Sequence, residues 1–456
     1  METLFLKELF TSSEKYLEQT VTVRGWVKSL RNSKHFSFLV LSDGTCSETL
    51  QIVLDEKMPS YEALSKMITG YSCSFQGKIV ASQGKGQTIE MQALSGEIIG
   101  SVPEDYPLQK KGTSLEFLRE IAHLRIRTNT FSAVMRVRHE LAMATHNFFN
   151  QRGFFYVNTP IITTSDCEGA GELFRVTTWD GKKTHDFKND FFGKPTYLTV
   201  SGQLGGESLA MGLSKVYTFG PTFRSENSNT SRHLSEFWMI EPEMAFATLE
   251  DMADLAQDYL KALCSHALSV CAKDLAFLQE HYEKTLLEKL RGVVEKPFQK
   301  ITYTDAIQIL KETKHTFEFN VEWGVDLQTE HERYLAEIHF KSPVIVTDYP
   351  SAIKAFYMRE NEDGKTVRAM DVLIPGVGEI IGGSQREERL DVLERRMQAF
   401  HLSHEEYKWY LDLRRFGTVP HAGFGLGFER AVMYVTGMNN IRDVVPFPRT
   451  PRNAEF

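Results

Sequence analysis

Cysteine is scarce in this chain. Five occur in 456 residues (Cys46, Cys73, Cys167, Cys264 and Cys271), an odd number with no paired metal spacing. That excludes a disulfide framework, fits a reducing, cytoplasmic setting, and leaves no structural zinc to expect. Long apolar runs are missing as well: no segment approaches the ~18 uncharged apolar residues of a membrane helix, so no membrane partner is expected. Met1 to Glu8 contain no basic region leading into an apolar stretch, so no secretory leader is expected. Internal repeats and low-complexity tracts are absent. Excess charge is small, 52 Lys and Arg against 60 Asp and Glu, a net of -8. That argues against nonspecific wrapping of nucleic acid and leaves room for a local basic face.

What is present is the composition of a globular protein, 42% apolar and 25% charged. The length exceeds one ordinary core and predicts two or three domains. Aromatics are plentiful, 31 Phe and 16 Tyr, for large cores or for stacking on bases.

Residues 1–100 read as a small β domain. Val21 to Val27 alternates as a strand, and a basic turn is expected at Lys28, Arg31 and Lys34. Phe36 to Leu41, Thr49 to Leu54, Tyr71 to Val80 and Gln87 to Leu94 complete five strands, with a helical connection near Met58 to Met67. Five short strands in so little chain suit an OB barrel, a fold whose basic and aromatic face commonly binds single-stranded nucleic acid. Alternation puts Phe36 and Phe38 on one face with Ser37 opposite; alone, either phenylalanine could equally be core.

A proline-containing linker is expected over 101–118. Beyond it, Phe131 to Phe149 carries helix-spaced Val134, Val137, Leu141, Ala144 and Phe148, ended by Gly153. Residues 171–223 read as mixed strands around a polar segment, 249–295 as helix, and Thr302 or Thr304 as a helix start. Glu387 to Leu411 reads as one long helix.

Two stretches carry chemistry. In the first, Phe223-Arg224-Ser225-Glu226, Arg232-His233 and Glu236 to Glu243 alternate arginine and glutamate with bulky apolar residues at strand spacing. A hairpin of this kind presents charge on one face, and guanidinium forks match phosphate oxygens. The second is Gly425-Leu426-Gly427-Phe428-Glu429-Arg430, which lacks the lysine of a usual phosphate loop and has no clear strand leading into it. Arg430 falls near a helix start, a poor place for a cation unless an anion compensates. Glu379, between Gly376, Gly378 and Gly382-Gly383, reads either as a magnesium ligand beside phosphates or as a solvated turn residue. These residues reach an enzyme that uses a nucleotide and carries a nucleic-acid-binding barrel.

The three stretches, the helix from Phe131 with the segment ending at Pro160, Phe223 to Glu243, and Gly425 to Arg430, resemble in order the motifs of the class II aminoacyl-tRNA synthetases of the aspartate, asparagine and lysine subgroup. The resemblance implies an α+β (α/β) architecture: an anticodon-binding OB barrel at 1–100, and a catalytic domain at 119–456. That domain would be an antiparallel sheet flanked by helices, with a helical and mixed insertion near 249–350. Ser165 to Glu172, Val200 to Leu204, Arg232 to Met239 and Pro420 to Gly425 resemble the bacterial asparaginyl branch. Aspartyl relatives typically have a lysine where Gly206 stands, and loss of that cation fits a neutral amide. An aspartyl enzyme, one acting on two tRNAs included, stays the alternative.

The resemblance implies ATP as substrate, Mg2+ on Glu379, L-asparagine and tRNA(Asn) as partners, and a homodimer. It also implies roles. Arg224 would contact the α-phosphate and Arg430 the γ-phosphate, with Phe237 stacked on adenine. His233 would lie near the outer phosphates and Glu226 near the adenine or tRNA end. Glu168, Ser201 and Gln203 would form the amino-acid pocket, with Arg414 or Arg415 contacting the substrate. A serine in relatives stands at Gly382. Phe38 and Gln51 would read the anticodon, beside basic Arg24, Lys28, Arg31 and Lys34.

Overall fold

The computed structural model describes residues 3–82, 84, 86–108, 112–164, 173–181 and 186–456. Contacts divide the chain into two compact units, one running to Arg136 and including Phe456, the other from Val137 to Glu455.

The first unit is built on a closed barrel of β1 (Thr20–Asn32), β2 (Phe36–Ser42), β3 (Leu50–Asp55), β4 (Ser72–Ala81) and β5 (Ile89–Gly100), in the order β1-β2-β3-β5-β4. Alternation decides which side chains go inside. Val21, Val23 and Val27 of β1 point inward with Leu39, Leu41, Leu50, Ile52, Leu54, Phe75 and Met91, all buried. β1 runs on through Lys28 and Arg31 to Asn32, so the expected basic turn is strand. An irregularity between Val27 and Ser29 lets the long strand bend round the barrel. Gly25 has to be glycine, because a Cβ there would strike the Ser42 carbonyl. Tyr106 and Leu108 pack with Leu118 and Phe131 in a small core of their own, so the 101–118 segment is partly structured.

The second unit holds β6 (Phe155–Tyr156), β7 (Ile162–Thr163), β8 (Tyr197–Leu198), β9 (Lys215–Phe223), β10 (Glu236–Ala245), β11 (Gln299–Thr302), β12 (Val344–Pro350), β13 (Thr366–Ile374), β14 (Gly378–Gln385) and β15 (His421–Gly427). Eight of them form one sheet in the order β11-β12-β13-β14-β15-β10-β9-β6, and β7 pairs with β8. The inner strands are antiparallel, as expected, while the edges β11 and β6 run parallel to β12 and β9. The Asn129–Gln151 helix ends before Gly153, whose φ of +77° turns the chain into β6. Leu249–Val270 starts on a capping box of Thr248 and Asp251, and Tyr303–Glu312 on one of Thr302 and Asp305.

Three expectations are corrected. Residues 203–213 form a helix, Gln203–Leu213, where strands were expected. Gly202 and Gly205 let it settle against Thr159, which a Cβ at either would strike. Glu387 to Leu411 is not one helix: Leu390–Ala399 stops, His401 takes φ +57°, and Lys408–Arg415 begins anew. A strand, β15, does lead into the Gly425 motif, and the helix Phe428–Thr436 follows it directly.

Candidate active site

A cavity of about 350 Å³ opens over the middle of the large sheet. Its lining brings together Arg224, Glu226, His233 and Phe237 with Glu379 and Arg430 across β10, β15 and β14. The floor is glycine. Gly382 on β14 pairs with Gly425 on β15, and Gly427 with Met239 on β10. A Cβ at Gly425 would lie 2.8 Å from Met239 Cε, so the bare backbone keeps the floor open to a flat ligand. The glycines that read as a turn motif are therefore strand residues whose missing side chains make room.

Arg224 follows β9, its amide bonded to the Ser235 carbonyl at 3.0 Å. Its guanidinium carbon lies 5.5 Å from the Phe237 ring centre. His233 is held by Ser228 and Thr230. Burial, with Arg430, Arg224 and Arg232 close by, lowers its pKa and keeps the ring neutral near pH 7. Arg430 sits in the first turn of Phe428–Thr436, and its Nη1 donates to the Glu379 carbonyl at 3.3 Å. The neighbouring Glu429 is buried. It takes Arg138 Nη2 at 2.7 Å and the Trp238 amide at 2.8 Å, supplying an anion at that helix start.

Glu379 stands beside Asp371. Their Oε1 and Oδ1 lie 2.9 and 3.5 Å from where a Gly382 Cβ would be. Burial and then Asp371 raise the Glu379 pKa, and Lys354 meets Asp371 at 2.8 Å. Among the described residues no three His, Cys, Asp or Glu side chains are grouped to hold a metal. A pair of hard oxygen donors facing open space still suits magnesium, which completes its shell with water and phosphate. A third carboxylate, Glu332, accepts from the Glu379 amide at 3.0 Å; burial, then Glu379 and Asp371, push it up to about 7.

The other end of the cavity holds Ser201, Gln203, Glu241, Tyr357 and Arg386. Glu241 accepts from Ser201 Oγ, from the Gly202 amide at 2.9 Å and from Thr218 Oγ1 at 3.0 Å. Gln203 Nε2 donates to Glu207 at 3.1 Å. Gly206 turns toward Glu243, where a Cβ would lie 3.3 Å from Glu243 Cγ. The cation that meets Glu243 is Arg386, whose Nε and Nη2 fork onto it, Nε at 3.2 Å. Burial pushes the Glu243 carboxyl up to about 8 against that pull.

Neither arginine proposed for the substrate from sequence lines the cavity. Arg414 is buried behind it, donating to Glu207 at 2.9 Å beside Tyr410 and His421. Those partners, Arg414 first, hold Glu207 well below the usual carboxylate range despite its burial. Arg415 faces outward to Glu394 and Asp412. Sequence reasoning missed Arg386, Glu241, Asp371 and Lys354. Glu168 lies outside the described residues.

On the barrel, Phe36 and Phe38 face outward with Ser37 buried inside. Phe38 is opposite Val53 and Gln51 opposite Val40, so the two are diagonal neighbours on the outer face. Arg31 lies 5.2 Å over the Phe38 ring, and Gln51 Nε2 meets Glu90 at 3.1 Å. Lys28 is tied to the Arg127 carbonyl at 2.7 Å rather than projecting freely.

Residues 114–451 match the family model of class II tRNA synthetases (D, K and N). The chain belongs to that family. Residues 21–99 of this synthetase match an OB-fold nucleic acid binding domain. The asparagine–tRNA ligase of Cytophaga hutchinsonii is 60% identical over 464 aligned residues, covering 100% of both chains. That of Legionella pneumophila (strain Corby) is 57% identical, covering 99% of this synthetase and 100% of its own length. The asparaginyl-tRNA synthetase of Pyrococcus horikoshii, solved with asparaginyl-adenylate, superposes over 100% of both chains with a TM-score of 0.89 at 34% identity. Among the described residues no helix is long and apolar enough to cross a membrane.

Proposed function

We infer that this synthetase is an asparagine–tRNA ligase. It activates L-asparagine with ATP to asparaginyl-adenylate and pyrophosphate, then transfers the acyl group to the terminal adenosine of tRNA(Asn). The observation that carries this is the single cavity in which Arg224, His233, Phe237, Glu379 and Arg430 meet Ser201, Gln203, Glu241 and Arg386. The full-length likeness to asparagine–tRNA ligases supports it.

ATP lies bent over the glycine floor. Adenine stacks on Phe237, with Glu226 at its edge. Arg430 holds the γ-phosphate and His233 lies by the outer phosphates. Arg224 holds the α-phosphate and the incoming asparagine carboxylate, so the nucleophile and the phosphorus it attacks share one guanidinium. Little proton chemistry is required. Orientation and cations that stabilise charge building on phosphorus do the catalysis. A magnesium ion would be held by Glu379 with Asp371 beside it, and would neutralise phosphate charge.

Asparagine sits with its ammonium toward Glu168, Ser201 and Gln203. Its side-chain amide needs both an acceptor and a donor. Glu241, with three of roughly four lone-pair sites already filled, offers an acceptor, and Arg386 a donor. A carboxylate at Glu241 repels aspartate. Arg386 thus takes the role sought at Arg414 or Arg415. The domain limits drawn at 100, 118 and 119, the cytoplasmic setting and a homodimer complete this reading.

The barrel supplies the test of the tRNA half. Phe38 stacks on a central anticodon base and Gln51 bonds a base edge. The wild type should charge tRNA(Asn) with labelled asparagine. Phe38→Ala should cut charging kcat/KM about 10- to 100-fold, since stacking contributes ~1–3 kcal/mol per base. Asparagine-dependent ATP–pyrophosphate exchange should stay within about twofold. Equal losses in the two assays would sink the anticodon assignment.

A further inference from the structure

The turn between β13 and β14, Pro375 to Val377, with Gly378 opening β14, delivers Glu379 to the cavity. It is a costly stretch of backbone for a fixed position: Gly376 and Gly378 both take positive φ, +89° and +90°. Glycine is permissive there but brings no rigidity of its own. The stiffness comes from outside. The Gly376 amide donates to Glu337 Oε1 at 2.7 Å, and the Glu379 amide to Glu332 Oε2 at 3.0 Å. Arg232, from the loop between β9 and β10, donates through Nη1 to the Val377 carbonyl at 3.1 Å. A Cβ on Gly378 would overlap the Glu332 carboxylate, so the glycine also makes the approach possible.

Both carboxylates come from one short element. The Thr329–Arg333 helix continues as a π-helical segment, Tyr334–His339, with the Phe340 amide bonded to the Leu335 carbonyl at 3.0 Å. Bonding from i to i+5 brings residues five apart to the same side, which an α-helix does not. Glu332 lies in the last turn of the α-helical part and Glu337 in the π-helical part, five residues on, and both carboxylates reach the same turn. Arg333 clamps Glu337 through Nε at 2.7 Å and Nη2 at 3.1 Å. Local irregularities of this kind are frequent at functional sites.

We propose that Glu332 and Glu337 are positioning residues of the reaction, and that the Thr329–His339 segment is a strut fixing the turn that aims Glu379. The same turn is also tied to the β9–β10 loop, through the Arg232 bond to Val377. The proposal rests on the reading of Glu379 as a phosphate-side residue. Its physical content is an accepted N–H, so an acceptor matters and a full charge does not.

The test compares wild type, Glu332→Ala and Glu332→Gln by amide hydrogen exchange of the 375–385 peptide, without ATP or metal, and by ATP–pyrophosphate exchange. Glu332→Ala should speed amide exchange at the turn about tenfold, because a locking hydrogen bond is lost. It should lower the kcat of adenylate formation about 10- to 100-fold, with the asparagine KM within about twofold, as misplacement of a catalytic group does. Glu332→Gln, whose amide oxygen accepts the same N–H, should restore both. Glu337→Ala should speed exchange at the Gly376 amide with the same kcat-against-KM split, a second reading should Glu332→Ala fail to fold. Unchanged amide exchange in both alanine variants would overturn the proposal, as would a glutamine variant as impaired as alanine. A wild-type enzyme inactive with asparagine would instead overturn the function reading and leave the amide-exchange comparison standing.

Discussion

Arg224→Ala should lower asparagine-dependent adenylate formation about 10³-fold. The reason is its place. Arg224 leaves the end of β9 anchored by its backbone to Ser235, and its guanidinium lies over the Phe237 ring inside the cavity. Charge builds on the α-phosphate only as the carboxylate attacks, so an interaction there stabilises the transition state more than either substrate. The loss should therefore fall mainly on kcat. Arg224→Lys should recover little of it, because a point charge cannot fork across phosphate and carboxylate oxygens together. A loss confined to KM would move Arg224 away from the reacting phosphorus.

Arg430→Ala should act differently, raising the KM for ATP about 100-fold with a smaller change in kcat. Arg430 meets the Glu379 carbonyl from the first turn of the Phe428–Thr436 helix, over the glycine floor rather than at the amino-acid end. A γ-phosphate contact is made by bound ATP before reaction, so removing it weakens binding of ground and transition states alike. Truncating one partner of a charge-assisted contact costs about 2–5 kcal/mol, which brackets the expected factor. The fold should survive, since the anion at that helix start pairs with Arg138 through Glu429 and not with Arg430. Initial-rate exchange at varied ATP measures this directly, and an unchanged KM for ATP would remove Arg430 from the nucleotide site.

The contrast between the two ends of the cavity explains what could be read from the sequence. The barrel was legible because its core-facing positions alternate: Val21, Val23 and Val27 point inward while Phe36 and Phe38 point outward. The β9–β10 hairpin was legible as two strands around a polar loop, but its charges are not sorted to one face. The last six residues of β10 are all buried, and Phe237, Met239 and Glu241 line the cavity together. The helix Gln203–Leu213 was not legible, because its glycines lower helix propensity and their purpose, the close approach to Thr159, exists only in three dimensions. Glycines in β14 and β15 look like turn residues for a related reason. Strands rarely carry them, and only the register that stacks Gly382 on Gly425 shows them as a floor.

Arg386 was hidden in the string Arg386-Glu387-Glu388-Arg389, which reads as a solvated charge run. It lies just past the end of β14, buried, with Glu243 from β10 beneath it. Arg414 misled in the opposite sense. Its neighbours in sequence suggested a reachable cation, whereas Tyr410, one helical turn earlier, turns with it toward Glu207. That buried carboxylate also takes His421 and Gln203, so the arginine acts on the pocket only through the side chain that orients Gln203.

The choice of amino acid lies with Glu241 and Arg386, which flank the pocket, and with the absence of a lysine at Gly206. The direct measurement is ATP–pyrophosphate exchange by the wild-type enzyme with asparagine beside aspartate, each over a full concentration range. The kcat/KM for asparagine should lie at least ~10³-fold above that for aspartate, because a buried site pairs an amide and leaves a like charge unpaired. Comparable values for the two, or a preference for aspartate, would contradict this assignment.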